Sequence, residues 1–215
     1  MLSPALILDS SRFLRLLLEQ RSNGSQNKTL LRATGQGEKT KAAIQLDNTV
    51  SPMRVFAISG LSGTGKTTLL ERLVHELVRR GYSVATLKST QEDVSEPEGT
   101  DTWKHQRAGA KTTVLLAPQS TTIRYGHRMT LGEIFAESDF DFLLVEGMKR
   151  SKIPKCWCLG RSKLKIKQVP PETIAAVAWD QPTGTAEIPI IQERELSTLT
   201  DIIERHAVEL DQIED

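Results

Sequence analysis

Between a strand-like run, Arg54-Val55-Phe56-Ala57-Ile58-Ser59, and an amphipathic stretch carrying Leu69, Leu70, Leu73, Val74, Leu77 and Val78 stands Gly60-Leu61-Ser62-Gly63-Thr64-Gly65-Lys66-Thr67. The octapeptide fits G-x-x-x-x-G-K-[ST], and its flanks are those its chemistry requires. Glycine lets the main chain wrap closely around an anion, and a helix that begins inside the motif aims its first N–H groups and its positive end at the same place. Lys66 is expected to reach the β- and γ-phosphates of a nucleotide and the Thr67 hydroxyl to ligate Mg²⁺. The expected phosphate-binding set is Gly60, Ser62, Gly63, Thr64, Gly65, Lys66, Thr67 and Thr68.

The rest of the chain agrees with that placement. Arg79-Arg80-Gly81 closes the helix with cations at its negative end and a glycine for the left-handed cap. Strands are predicted at 83–87, 112–116, 141–145, 155–159, 174–178 and 188–191, with helices near 101–109, 130–138 and 195–210, the last aligning Leu196, Leu199, Ile203 and Leu210. Strands alternating with helices predict an α/β fold of the P-loop NTPase type, a mostly parallel sheet with helices on both faces.

Composition changes near residue 52, which divides the chain into a nucleotide-binding domain over 52–215 and an N-terminal extension over 1–51. In the extension Phe13, Leu14, Leu17 and Leu18 recur at helical spacing behind Asp9 or Ser10. The polar stretches that follow, 22–27 and 35–39, lack the apolar density to offset chain ordering, so a poorly ordered segment with one short amphipathic helix is expected. Arg12, Arg15 and Arg21 leave an organelle presequence open, against Asp9 and Glu19, and Met53 leaves open a translation start just before the first strand.

A phosphate loop needs an acid on its magnesium side. The run Phe142-Leu143-Leu144-Val145 is bracketed by Asp141 and Glu146, roughly 16 Å apart at about 3.3 Å per residue. Ligands of open parallel sheets bind outside the carboxyl ends of the strands, so Glu146 is the candidate for metal and catalysis, and Asp141 is expected to cap the strand entrance. Gly147 permits a sharp exit. By the same rule Lys88 through Asp93, after the second strand, opens onto the site, and Asp93 is a second magnesium-side or water-orienting candidate on a polar, turn-rich switch loop with Glu92, Glu96, Pro97, Glu98 and Gly99. Cys156 and Cys158 share one face of a strand and read as buried strand cysteines, since the four histidines show no metal spacing with them. The Asn-Lys-x-Asp element that reads guanine in many GTPases is missing, so the motifs leave ATP and GTP undecided.

With 28 Lys+Arg against 27 Asp+Glu the formal charge is +1, and no basic field argues for nucleic acid. No apolar run reaches the length of a spanning helix, and two cysteines make no disulfide framework, so a soluble, cytoplasmic protein with no nucleic-acid or membrane partner is expected.

Several segments together resemble the molybdopterin-guanine dinucleotide biosynthesis adaptor family, the MobB proteins. They are Ile58-Ser59-Gly60 through Thr68-Leu69-Leu70, Arg80-Gly81-Tyr82 through Leu87-Lys88, Gly99-Thr100-Asp101-Thr102-Trp103-Lys104-His105 with Ala108-Gly109-Ala110, and Leu144-Val145-Glu146-Gly147-Met148-Lys149. The resemblance implies a GTP-binding homodimer with weak GTPase activity and magnesium. It further implies an accessory role in building the guanine-dinucleotide form of the molybdenum cofactor, docked to the nucleotidyltransferase and its molybdopterin ligand. On that resemblance Asp101 lies near the magnesium or nucleotide region and Lys149 near a phosphate, and Asp180 in Ala178-Trp179-Asp180 is either a guanine contact or a plain turn residue. The chain departs from the family where Ser89 and Gln91 stand in place of histidines. A metabolite kinase or ATPase, with Arg124 and Arg128 as the hint of a lid, and a non-hydrolysing nucleotide-bound scaffold are the competing expectations.

Overall fold

The computed structural model describes residues 52–160, 169–180 and 188–213. The expectations for residues 1–51, including the short helix, fall outside these. In chain order the elements are β1 (Arg54–Gly60), α1 (Lys66–Arg79), β2 (Val84–Lys88), α2 (Asp101–Arg107), β3 (Thr112–Ala117), β4 (Ser120–Tyr125), α3 (Leu131–Phe135), β5 (Phe142–Glu146), β6 (Lys155–Gly160), β7 (Thr173–Ala178), β8 (Ile190–Gln192), α4 (Leu196–His206) and β9 (Val208–Glu209), followed by a 3₁₀ turn at Leu210–Gln212.

The main sheet has the order β2-β5-β1-β6-β7-β8, all parallel, with β9 added antiparallel to the start of β1. β1 and β5 lie inside the sheet, and every residue from Val55 to Gly60 and from Phe142 to Glu146 is buried. Strands covered on both faces need apolar side chains at every position, which is why these two read as continuous runs. β2 is an edge strand, and its last four residues alternate between half-buried and exposed.

On one face α1 and α4 set Leu69, Leu73, Leu77, Leu199 and Ile203 against Phe56, Ile58, Phe142, Leu144, Cys156 and Cys158. Each such leucine contributes roughly 1.5–3 kcal/mol by leaving water. The helix ends as Arg79-Arg80-Gly81 predicts: the Gly81 N–H reaches the Val78 carbonyl at 2.9 Å and the Tyr82 N–H the Leu77 carbonyl at 3.1 Å, a Schellman motif. The opposite face, built on Met53, Val55, Ala57, Leu143 and Val145, is covered by the short α3 through Leu131 and Phe135, by Leu210 of the 3₁₀ turn, and by Ile153 and Ile213.

Two elements differ from the sequence expectation. The last helix stops at His206, because Ala207 turns extended and β9 pairs with Arg54 and Val55, the part of β1 that β6 does not reach. Leu210 therefore joins the core of the other face. The strand at 112–116 leaves the main sheet and pairs with Ser120–Tyr125 in a two-stranded antiparallel ribbon turning at Pro118-Gln119. Its apolar residues Val114, Leu115 and Leu116 are exposed, the last by 72%.

Candidate functional site

The loop from Gly60 to Thr67 leaves the carboxyl end of the central strand and enters α1 at Lys66, with Gly65 as the N-cap residue at φ 84°. That left-handed backbone strains any side chain, and a Cβ on Gly65 would come within 2.3 Å of the Trp179 ring. Ser62, Gly63, Thr67 and Thr68 are exposed, so the mouth of the loop faces solvent. Within the loop the Thr64 hydroxyl donates to the Leu61 carbonyl at 2.8 Å, and the Lys66 ammonium donates to the same carbonyl at 2.6 Å.

Trp179, at the end of β7, donates its indole N–H to the Thr64 carbonyl at 2.9 Å and lies over Gly65. A trans peptide points its C=O and N–H in opposite directions, so fixing the Thr64 carbonyl on the indole turns the Gly65 N–H away from it. Sequence reasoning quoted Trp179 beside Asp180 without this role, and the contact depends on strand order, which no local pattern encodes.

Glu146 is the last residue of β5 and stands in register with Ile58 of β1 and Lys88 of β2. The Thr67 hydroxyl lies 3.1 Å from each of its carboxylate oxygens, and Lys88 Nζ is 3.9 Å from Oε1. The main chain around it is clamped: Ser89 N–H donates to the Glu146 carbonyl, Gly147 N–H to Ile58, and the Ser59 hydroxyl to Gly147 at 2.5 Å. A threonine hydroxyl that gives its proton to a carboxylate keeps its lone pairs for a cation, so Thr67 and Glu146 together fit a magnesium ligand and the group that orients it.

Among the described residues no hydrogen bond or ion pair joins Asp93, Asp101, Lys149 or Asp180 to Thr67 or Glu146. Among the described residues no three His, Cys, Asp or Glu side chains converge as a metal-binding group, so Glu146, Asp93 and Asp101 do not form one. Asp93 is exposed in the segment after β2, where Arg124 holds Glu96 at 3.2 Å and the Val94 carbonyl at 2.5 Å. Asp101 opens α2 and pairs with Lys104 at 3.2 Å. Lys149 is exposed, and Asp180 is exposed beside Trp179. Asp141 caps the entrance of its strand, accepting from the Ser83 N–H at 2.7 Å and hydroxyl at 2.8 Å.

Cys156 and Cys158 are buried in the core, and its neighbour Cys158, followed by burial, pushes the Cys156 thiol well above the usual thiol range. Lys155 was not foreseen. It is fully buried, donates to the Ser151 carbonyl at 2.6 Å and lies 3.7 Å from Glu172; burial pushes its ammonium pKa down, against the pull of that carboxylate.

The model of the family described as molybdopterin guanine dinucleotide synthesis protein B, MobB, matches residues 55–180. A Haemophilus influenzae molybdopterin-guanine dinucleotide biosynthesis adapter protein is 31% identical over 139 residues, 60% of this chain and 75% of that protein. A Methanocaldococcus jannaschii protein whose name also refers to this biosynthesis is 39% identical over 111 residues, and the chain spans 46% of its length. The crystal structure of Bacillus subtilis MobB shares the fold, with a TM-score of 0.58 at 22% identity over 73% of this chain and 99% of that one. A glycine-rich loop opening between β1 and α1, a glutamate closing β5 and a family match across both place the chain in the MobB family.

Proposed function

We propose that this chain is a GTP-binding adapter with weak GTPase activity that assists molybdopterin guanine dinucleotide synthesis, in step with the names its relatives carry. The observation that carries the nucleotide part is the Thr67–Glu146 pair at the mouth of the glycine loop. Loop amides and Lys66 hold the phosphate chain. Thr67 would hold Mg²⁺, with Glu146 orienting the Thr67 hydroxyl. Bound Mg²⁺ supplies charge neutralisation on the phosphoryl oxygens. Asp93, on its exposed segment, orients the attacking water when that segment closes; Asp101 and Lys149 serve the nucleotide's periphery. A carboxylate that accepts a hydrogen bond from Thr67 is a poor general base, which accords with weak turnover on this reading.

The adapter is a cytoplasmic homodimer whose exposed Val114, Leu115 and Leu116 ribbon meets a second copy, and its partner is the nucleotidyltransferase carrying molybdopterin. Residues 52–215 form the nucleotide-binding domain and residues 1–51 an extension to it. No helix among the described residues is long and apolar enough to cross a membrane. The deciding experiment compares affinity and phosphate release with GTP and ATP, for the protein alone and with the nucleotidyltransferase and molybdopterin. Selective GTP binding whose turnover responds to the partner is expected; selective ATP use with phosphoryl transfer to a small metabolite sinks this reading in favour of a kinase.

A further inference from the structure

Beyond the carboxyl end of β2 a cleft of about 410 Å³ opens between that strand, the turn before α3 and Met148 after β5. This is within the size range of small-molecule sites. Among the described residues its charged lining is cationic, Lys88 and Arg128, with Ser89 also lining it, and its apolar part includes Met129, Leu131, Ile134 and Met148. Among the described residues no carboxylate lines it. Glu133, on α3, is committed to the capping box with Thr130. Arg128 makes no ion pair with any described residue, and Lys88 is held only loosely by Glu146 at 3.9 Å.

An unpaired guanidinium and an ammonium over an apolar floor select a ligand with an anionic end and an uncharged flat body. A guanidinium binds phosphate through paired N–H donors, while methionine thioethers pack adaptably against aromatic rings. Position narrows the class further, since Lys88 lies 3.9 Å from Glu146 and Glu146 accepts from Thr67. An anion on Lys88 therefore sits beside the nucleotide's phosphates. We propose that this cleft binds the phosphomonoester of a flat heteroaromatic ring such as a pterin, its phosphate between Lys88 and Arg128 and its ring over Met129, Leu131 and Met148. The choice of a pterin rests on the adapter reading above; the charge and shape of the cleft do not.

The test is equilibrium binding of neopterin monophosphate to the full chain, followed by the pterin's own fluorescence, with phosphate-free neopterin, inorganic phosphate and magnesium-GTP measured in parallel. Neopterin monophosphate is expected to bind at least about ten-fold more tightly than neopterin, the scale of a charge-assisted hydrogen bond. Arg128→Ala should remove that preference while leaving magnesium-GTP affinity unchanged. Ile134→Trp, at a 41% exposed position on the cleft wall where a larger side chain is tolerated, should weaken both pterins. The proposal is overturned if neopterin monophosphate fails to bind while magnesium-GTP binds, if inorganic phosphate competes as well as the pterin ester, or if both variants bind like the unaltered chain. If GTP fails and the pterin ester binds through Arg128, the cleft stands and the adapter reading falls.

Discussion

The Thr67 hydroxyl and the Glu146 carboxylate meet at 3.1 Å across the ends of two adjacent parallel strands, one side chain from the first turn of α1 and the other from the last residue of β5. On the proposed reading this pairing puts Glu146 on the metal side of the site. Glu146→Gln keeps the shape and removes the charge, so the magnesium concentration needed for tight GTP binding should rise about 10- to 100-fold, the usual effect of losing a group that orients a metal ligand. Calorimetric titration of GTP at stepped magnesium concentrations reads this directly. If the variant loses GTP affinity equally in EDTA, Glu146 is not acting through the metal.

On the proposed reading Lys66 acts on the phosphates themselves. Lys66→Ala should abolish measurable GTP binding with or without magnesium, while the melting temperature barely moves, because its ammonium bonds only a loop carbonyl, that of Leu61. Retained affinity in this variant removes the phosphate loop from the mechanism.

Trp179 tests the loop from behind. Trp179→Phe keeps a ring over Gly65 and deletes the hydrogen bond to the Thr64 carbonyl. One neutral hydrogen bond corresponds to about a two- to ten-fold loss of affinity. Because the bond sets a peptide plane and not a base contact, magnesium-GTP and magnesium-tripolyphosphate should lose equally. A loss confined to GTP would make Trp179 a base-stacking residue instead. Gly65→Ala should be worse than Trp179→Phe, since its Cβ meets the indole in a left-handed backbone.

What the sequence disclosed follows a physical line. The glycine loop, its strand and its helix are local patterns, and Glu146 followed from one non-local rule, that parallel sheets bind ligands at their carboxyl ends. Asp141, at the other end of the same strand, was separated from it by that rule alone. Contacts set by strand order stayed hidden: Trp179 reaches Thr64 because β7 lies two strands from β1. The second strand of the ribbon, Ser120-Thr121-Thr122-Ile123-Arg124-Tyr125, has no fully buried residue and so no alternation to betray it, and Pro118-Gln119 is not a strong hairpin turn signal. Lys155 reads as a surface residue until the loop carbonyls that enclose it are in place.

Away from the site, Glu76 makes part of the fold's stability sensitive to acid. Arg79, bonded at 2.6 and 2.8 Å, and then Arg80, at 3.0 Å, hold its carboxyl at about 2, against 4.5 for the free side chain. A carboxyl depressed in the folded state stabilises the fold fully above its unfolded value and loses that contribution as pH falls from about 4.5 through about 2. Glu76→Gln should therefore be less stable than the unaltered chain at pH 7, and the gap should close progressively below about pH 4.5. Arg79 is 70% exposed and its share should fade in high salt. Arg80 is 18% exposed and also binds Asp201 and Glu204 of α4, so its share should persist. Urea unfolding of both proteins at pH 7, 4 and 2.5, with and without salt, measures each part, and a gap independent of pH would show that Glu76 acts by packing and not by charge.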